Sequence, residues 1–394
     1  MGCRGSEAAG CSGEIATGSE RALSSRLDKS TRLRPITRVP RPATLQDVAD
    51  RARVHRSTVA LALRDHPRIP ETTREKIKGI AATLGYRINP FVAALMQSRR
   101  SGRAIQHATL GFVTNYPTRY GWRPQFHHRP DFFPGAVERA RELGYKLEHF
   151  WLGEPGMTPA RFSEILITRG VHGLLIGRMP PGAHALELNW DRFSCVALGM
   201  TLRSPRLHHV TENHFDNVWQ GMQQCLARGY RRIGFVFSEA NDSPRVGDRW
   251  LGAYLIQQRN FHPDDRLAIC PGEPTNQEIF SEWYRRERPD ALLATHGAPI
   301  NAWLRALGQE VPRDVGLVEL QDPLHFNAAG VYFDPAKIGA LAVEMLIGLM
   351  HRNETGVPQD QHEILLTGEW HDGATLPAKD VAHTETPSSQ RIHF

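Results

Sequence analysis

The stretch of this 394-residue chain whose residue types point most directly to chemistry is a run of basic side chains between Thr44 and Arg103. It holds twelve Lys or Arg residues against five acidic ones, a net charge of about +7, whereas the chain as a whole carries +6. Residues 1–43 add eight basic and four acidic residues, about +4, so the chain carries about +11 up to Arg103 and the part after it is mildly acidic, at about −5. Basic side chains at this density bind phosphates, so the run predicts a nucleic-acid-binding segment on an otherwise acidic body.

Three short helices are expected to position this charge. Thr44, with Asp47 three residues later, has the spacing of a capping box, and apolar residues recur behind it at helical intervals. A second, small-residue helix starts near Arg56, and a third opens at Pro70 and ends at Gly85. Two short helices joined by a tight turn and followed by a third are typical of a helix-turn-helix domain, with a generic helical bundle as the alternative.

The same run resembles the DNA-binding headpiece of the LacI/GalR family of bacterial repressors. The matching positions are Leu45, Val48, Ala49, Ala52, Val54, Thr58, Val59, Thr73, Arg74, Ile77, Leu84, Gly85, Tyr86 and Asn89. The resemblance implies a sequence-specific transcriptional regulator, most simply a repressor, which binds a palindromic double-stranded DNA operator as a homodimer in the cytoplasm.

The resemblance also implies which residues meet DNA. Arg56 is expected to bind a guanine edge through two hydrogen bonds, and Leu61 to touch a thymine methyl group. A hinge helix from Pro90 is expected to insert Leu95 into the minor groove, unless Leu95 only packs on the third helix. Arg53 replaces the turn glycine of the family and His55 its capping serine, so the base preferences of the family are not transferred. The expected DNA-binding residues are Thr44, His55, Arg56, Ser57, Thr58, Leu61, Arg64, Thr73, Asn89 and Leu95.

The rest of the chain alternates between apolar runs of strand length and helical segments, which predicts doubly wound parallel sheets. Two successive series of such runs indicate two subdomains. The chain is expected to cross back between 323 and 334 and again after a helix that starts at Pro335. The predicted strands are 108–114, 145–151, 171–177, 193–199, 232–238, 267–270, 290–295, 315–320 and a late strand at 362–370. The fold class is α/β, and the family resemblance implies a type I periplasmic-binding fold.

That fold takes a small effector between its subdomains, where the carboxyl ends of the strands converge. By resemblance, Arg249 is expected to clamp polar groups of the effector. Gln321 stands where the family usually has an aspartate that pairs with sugar hydroxyls, which counts against a simple sugar. The expected effector is a small molecule, either a sugar or a related polar metabolite. For each position, a purely structural role is the alternative. The expected effector-binding residues are Tyr116, Trp122, Phe132, Arg249, His296 and Gln321.

The predicted domain boundaries follow from these segments. We expect a disordered basic tail over 1–43, a helix-turn-helix domain over 44–88 and a hinge helix with its linker over 89–104. An effector-binding and dimerisation domain should occupy 105–376, with a disordered tail over 377–394. We hypothesise that native translation starts at Val39; a genuine basic arm that adds non-specific DNA affinity is the alternative.

Other function classes find little support in the sequence. No apolar run is long enough for a secretory signal or a membrane helix, and five scattered cysteines favour reduced thiols in a cytosol. Catalytic motifs and phosphate-binding glycine loops are missing, so we expect no enzymatic activity, cofactor or metal. The alternative to a regulator is a solute-binding protein of the same α/β fold without DNA function.

Overall fold

The computed structural model describes residues 43–63, 65–86, 108–123, 131–237, 243–271 and 276–379. Two compact units make up the chain, Met1–Tyr86 and Arg87–Phe394. Residues 1–42, which include Val39 and nearly all of the predicted N-terminal tail, lie outside the described residues. So do Arg64 and the hinge residues Asn89 and Leu95. None of the helices within the described ranges is long and apolar enough to cross a membrane.

In the described part of the first unit, residues 43–63 and 65–86, the helices are α1 (Leu45–Ala52), α2 (Arg56–Ala62) and α3 (Glu71–Thr83). The predicted capping box is confirmed, because the Thr44 N–H donates to Asp47 Oδ2 at 2.7 Å and the Asp47 N–H donates to Thr44 Oγ1 at 3.3 Å. Small apolar side chains let the helices approach closely around one core. The buried core residues are Val48, Ala49, Ala52, Val59, Ala62, Ile77 and Ala81.

Left-handed backbone ends two of the helices of this unit. Gly85 has φ +67° just after α3, which is the conformation that glycine adopts without a Cβ penalty. Arg53 has φ +53° at the end of α1 and turns the chain towards α2. An arginine in this region is strained, because its Cβ approaches the following carbonyl oxygen.

In the second unit, the first sheet has six parallel strands in the order β10-β5-β4-β3-β1-β2. Alternate residues of the strands face opposite sides, so the sheet carries a separate apolar core on each face. Helices α4 and α11 cover one face and α5 covers the other. The elements are β1 (Ala108–Thr114), α4 (Phe133–Glu142), β2 (Tyr145–Trp151), α5 (Pro159–Thr168), β3 (Gly173–Ile176), β4 (Ser194–Leu198), β5 (His208–Glu212), α11 (Pro335–His351) and β10 (Glu363–Leu366).

The second sheet has five strands in the order β11-β9-β8-β7-β6, of which the first is antiparallel to its neighbour. The remaining pairs are parallel, as the strand-helix alternation predicts. The elements are α6 (His214–Ala227), β6 (Ile233–Val236), the short α7 (Ser243–Val246), α8 (Arg249–Gln258), α9 (Gln277–Glu287), β7 (Ala291–Ala294), α10 (Gly297–Ala306), β8 (Gly316–Glu319), β9 (Ala329–Tyr332) and β11 (Glu369–His371).

The chain passes between the two sheets three times within the second unit. It crosses at Asn213, between β5 and α6, and returns at 333–334, between β9 and α11. The third crossing, at 367–368, divides the predicted late strand 362–370 into β10 of the first sheet and β11 of the second. Gly368 fits there because a Cβ would lie 2.5 Å from Val331 Cγ1. The prediction of a single strand over 362–370 was therefore wrong.

Segment 267–270 was also predicted as a strand and is not one. Its carbonyl groups bind side chains instead of a strand ladder: Leu267 O accepts from Gln258 Nε2 at 3.0 Å and Ala268 O accepts from Trp283 Nε1 at 2.7 Å. Only Cys270 hydrogen-bonds the edge of the second sheet, through Phe235 O.

Strand β5 and the C-terminal boundary also differ from expectation. The sequence HHVTE of β5 is polar, yet all five residues are buried, because Glu363 of β10 and the preceding His362 supply partners for the two histidines. At the other boundary, the predicted disordered tail begins at Pro377, but residues 377–379 are anchored to the connection between α6 and β6. The Lys379 N–H donates to Arg228 O, and Tyr230 OH donates to Pro377 O at 3.0 Å.

Candidate functional sites

The outer surface of α2 carries the side chains predicted to read DNA. Arg56 and Ser57 are exposed at its first turn, and Thr58 and Leu61 are half-buried beside them. Behind them Val59 and Ala62 are buried in the core, so the orientation of α2 is fixed by packing. Thr73 is half-buried in the first turn of α3, and Thr44 is exposed as the cap of α1.

The imidazole of His55 caps α2 in place of a serine hydroxyl. Its Nδ1 accepts the Ser57 N–H at 3.2 Å and lies 2.8 Å from Ser57 Oγ. A backbone N–H can only donate, so Nδ1 is unprotonated and the proton of the neutral ring is on Nε2. His55 is exposed, so this Nε2–H is a donor on the same surface as Arg56.

The basic residues of this unit fall into two groups. Lys78 pairs with Asp65 at 2.7 Å and with Glu75 at 3.1 Å, and Arg74 Nη1 donates to Asp65 O, so these two stabilise the α2–α3 connection. The hydrogen bond from Lys78 lowers the pKa of Asp65 below its usual value. Arg51, Arg53 and Arg56 are exposed on α1, the turn and α2, and they give this surface its positive charge.

The second unit contains a narrow cleft at the carboxyl ends of strands from both sheets. Residues that follow β3, β4 and β5 form one wall, and α7, α8 and the residue after β8 form the other. This is the crevice that parallel α/β sheets offer to ligands. Its lining residues are Phe132, Arg178, Gly199, Met200, Thr201, Thr211, Glu212, His214, Arg245, Val246, Trp250 and Gln321.

An adjoining small pocket shares Phe132 and Arg178 with the cleft and is also lined by Tyr116 and Trp122. Four of the six predicted effector residues thus lie around these two spaces. The aromatic side chains also pack on one another: the Trp122 ring centroid lies 4.9 Å from Phe112, and the guanidinium of Arg178 lies 4.4 Å from the Phe132 centroid. One face of the Phe132 ring is therefore covered by the Arg178 guanidinium in a cation–π contact.

His149 lies against this aromatic group and accepts or donates a hydrogen bond with Thr114 Oγ1 at 2.7 Å. Burial, together with the charges of Arg119 and Arg123, lowers the pKa of His149 to about 4. The ring is therefore neutral near pH 7 and serves as a packing and hydrogen-bonding group.

A buried acid and histidine form the polar centre of the cleft. Glu212 Oε1 lies 3.0 Å from His214 Nε2, and both residues are less than a tenth exposed. Burial acts to raise the pKa of Glu212, but His214 and Arg178 outweigh it and hold this pKa below its usual value. The Asn213 side chain caps α6 by accepting the Asp216 N–H, which places His214 in the first turn at the cleft.

The other two predicted effector residues, Arg249 and His296, are not among the residues that line the cleft. Arg249 begins α8 and binds Glu363 of β10 at 2.7 Å, and Glu363 also meets His209 Nε2 at 2.7 Å. This ion pair joins a helix of the second sheet to a strand of the first. His296 precedes α10.

Sequence reasoning missed Arg178, Glu212, His214, Arg245 and Trp250. Arg178, Glu212 and His214 lie at or within two residues of the carboxyl ends of strands β3 and β5. Ligands of α/β sheets bind at such strand ends, so this rule could have identified these three residues. Glu212 and His214 were missed because β5 itself was not recognised. Arg245 and Trp250 lie on α7 and α8, on either side of the residue chosen as the clamp.

Beside the cleft, the carboxylate of Glu319 connects Gln321 to α10. Its Oε2 accepts the Gly297 N–H at 2.6 Å and its Oε1 accepts the Gln321 N–H at 3.1 Å. Burial raises the pKa of Glu319 to about 7, although these two donors act in the opposite direction. Among the described residues, no group of three or more His, Cys, Asp or Glu side chains is arranged to hold a metal ion.

Comparison with known proteins relates both units to one family. The model for bacterial regulatory proteins of the lacI family matches residues 44–89, and the model for a periplasmic binding protein-like domain matches residues 222–376. An HTH-type transcriptional regulator from Mycolicibacterium smegmatis is 22% identical over 364 residues, covering 88% of this chain and 95% of that protein. The NTD biosynthesis operon regulator NtdR from Bacillus subtilis is 21% identical over 300 residues, 71% of this chain and 83% of its own length.

Solved structures share the fold of the second unit. A LacI-family transcriptional regulator from Rhizobium etli superposes with a TM-score of 0.53 at 14% identity, covering 69% of this chain and all of that one. A LacI-family regulator from Enterococcus faecium with bound ribose gives a TM-score of 0.50 at 13% identity, with the same coverage. With the helix-turn-helix unit at residues 44–89 and the doubly wound second unit, the chain belongs to the LacI family of bacterial regulatory proteins and is a DNA-binding transcriptional regulator.

Proposed function

We propose that the protein represses transcription in the cytoplasm as a homodimer on a palindromic operator, and that a small molecule in the cleft controls its affinity for DNA. The observation that carries the DNA half of this proposal is the exposed surface of α2, where Arg56 and Ser57 project from a helix that its own core holds in place. A helix presented in this way is the reading element of helix-turn-helix proteins.

Individual contacts follow from the chemistry of that surface. The guanidinium of Arg56 has the fork geometry that binds O6 and N7 of guanine, and the Leu61 side chain suits a thymine methyl group. The Nε2–H of His55 and the cationic side chains of Arg51 and Arg53 suit phosphate oxygens, which fix position without reading sequence. Arg56 is therefore proposed as the specificity contact, and its neighbours as positioning contacts.

The control half rests on the cleft. Its walls come from both subdomains, with Arg178 and Glu212 on one side and Arg245 and Trp250 on the other. A ligand that contacts both walls binds one subdomain arrangement better than another, and it shifts the equilibrium by that difference in affinity. Ribose is bound by the Enterococcus faecium relative, and we propose a sugar-related polar metabolite as the effector of this chain. No enzymatic turnover of this ligand is proposed.

The DNA half is tested by measuring affinity for a selected operator and for random DNA with the native chain and Arg56→Ala. We expect Arg56→Ala to cost about 1–3 kcal/mol on the operator and much less on random DNA. Arg161→Ala is the matched control, because Arg161 is exposed on α5 in the second unit. Equal losses on both DNAs would make Arg56 a phosphate contact only.

A solute-binding protein without DNA function is the competing account, and salt dependence separates the two. A DNA-binding unit loses affinity with a log–log slope of about 0.9 per neutralised phosphate. Operator binding that is undetectable at low salt, in a chain that sediments as a folded dimer, would favour the solute-binding account. A folded monomer that binds a single half-site would contradict the proposed dimer.

A further inference from the structure

We infer that the ligand of the cleft is an anion, and that its carboxylate or phosphate group sits between Arg178 and Arg245. This inference rests on the proposed effector function and adds the chemical class of the effector. Charge, hydrogen-bonding groups left incomplete in the cleft, and the position of the two arginines on opposite walls each support it.

The charges that line the cleft are unequal. Arg178 and Arg245 contribute two guanidinium groups, and Glu212 is the one carboxylate among the lining residues. That carboxylate is already engaged by His214 at 3.0 Å. A cleft with this composition attracts a negative ligand and disfavours a cation, because bringing an anion in offsets the like charges on its walls.

Two buried polar atoms on residues that line the cleft have no hydrogen-bond partner among the residues that the structure describes. They are Nε1 of Trp250 and Nδ1 of His214, whose rings lie 5.3 Å apart and whose residues are 3% and 4% exposed. Buried polar groups are nearly always satisfied, so these atoms point to a ligand that completes them. The indole N–H can only donate and therefore requires an acceptor oxygen, whereas Nδ1 of His214 accepts in the neutral ring and donates in the charged one. The indole N–H is therefore the group that favours an anionic oxygen.

The residues that recognise neutral sugars through carboxylates are weakly represented here. Gln321 is an amide at the position after β8, and Glu319, although close in sequence, directs its oxygens to the Gly297 and Gln321 N–H groups. Carboxylate acceptors for sugar hydroxyls are thus few, and charged donors are prominent. The cleft favours an anionic oxygen group over a set of hydroxyls.

Because the two arginines lie on opposite walls of the cleft, an anion bound to both would connect the two subdomains. Arg178 follows β3 of the first sheet, and Arg245 belongs to α7 beside the second sheet. An anion held by both guanidinium groups joins the two subdomains, whereas a neutral ligand of the same size lacks that bridge. The inferred ligand therefore stabilises the arrangement in which the walls approach each other.

The test uses inorganic phosphate and acetate as probes of the two anionic groups, with sodium chloride adjusted to constant ionic strength. We expect phosphate, acetate or both to raise the melting temperature of the native chain with the concentration dependence of a single site. Arg178→Gln and Arg245→Gln should each weaken that site by about tenfold or more, and Trp250→Phe by about tenfold through loss of one donor. The matched control Arg161→Gln should respond like the native chain.

The choice of probes distinguishes the sources, since a response to phosphate alone indicates a phosphate ester and a response to acetate alone indicates a carboxylate. No single-site response to either probe, or an equal response in Arg178→Gln and Arg245→Gln, would overturn the inference. Arg245→Lys guards against a folding defect, because it keeps the charge and should retain part of the response. Operator binding by the same proteins without added anion tests the proposed DNA function separately. A negative result for the anion site therefore does not affect the test of DNA binding, and the reverse also holds.

Discussion

The buried carboxylate of Glu319 should make the stability of the second unit depend on pH in a direction opposite to that of most acids. Its folded pKa is raised to about 7 from 4.5, mainly by burial at 3% exposure. The folded state then binds more protons than the unfolded state between these values, so the stability contributed is complete below about pH 4.5 and falls as pH rises towards 7. At about 1.4 kcal/mol per unit of pKa shift, the loss is on the order of 3 kcal/mol.

The assay compares urea unfolding midpoints of the native chain and Glu319→Gln from pH 4.5 to 8, followed by tryptophan fluorescence. Gln keeps the shape and removes the titration, so the difference between the two proteins isolates this one group from the histidines that titrate in the same range. We expect the native chain to lose about 3 kcal/mol relative to Glu319→Gln across this range. A constant difference, or a native chain that gains relative stability as pH rises, would refute the assignment of a raised pKa.

The helix caps of the first unit and one ion pair of the second unit can be tested by substitution. Arg53→Gly should relieve the strain of the φ +53° backbone and raise the free energy of opening of α1 and α2, measured by hydrogen exchange, by up to about 1 kcal/mol. Arg53→Ala keeps a Cβ and should give no such increase. Thr44→Ala should cost the same helices about 1 kcal/mol in hydrogen-exchange stability, and Thr44→Ser should retain most of it. A double-mutant cycle of Arg249→Ala and Glu363→Ala should give a coupling energy of about 1 kcal/mol in the stability of the second unit, because both side chains are only about a quarter exposed. Additive effects of the two substitutions would mean that the ion pair contributes nothing to stability.

Local sequence signals predicted most of the regular structure. Strands β1 and β2 match the predicted ranges 108–114 and 145–151, because long apolar runs there are flanked by turns. The capping box at Thr44 and the glycine after α3 were readable for the same reason, since each depends on residues a few positions apart.

What the sequence did not reveal depends on partners distant in the chain. Strand β5 is polar and buried because His362 and Glu363, about 150 residues later, bind His208 and His209. Arg249 matches a family ligand motif by position, yet Glu363 lies 2.7 Å from it, and this neighbour has no local signature. The arginines that do line the cleft, Arg178 and Arg245, are brought together by the crossing of the chain between the two sheets.

Footprinting the full-length protein on genomic DNA from its own host tests whether α2 reads specific DNA sites for a dimeric regulator. We expect a small number of protected sites, each with two half-sites related by two-fold symmetry, which are lost in Arg56→Ala and retained in Arg161→Ala. Uniform protection that depends only on salt, or protected sites that survive Arg56→Ala unchanged, would contradict this expectation.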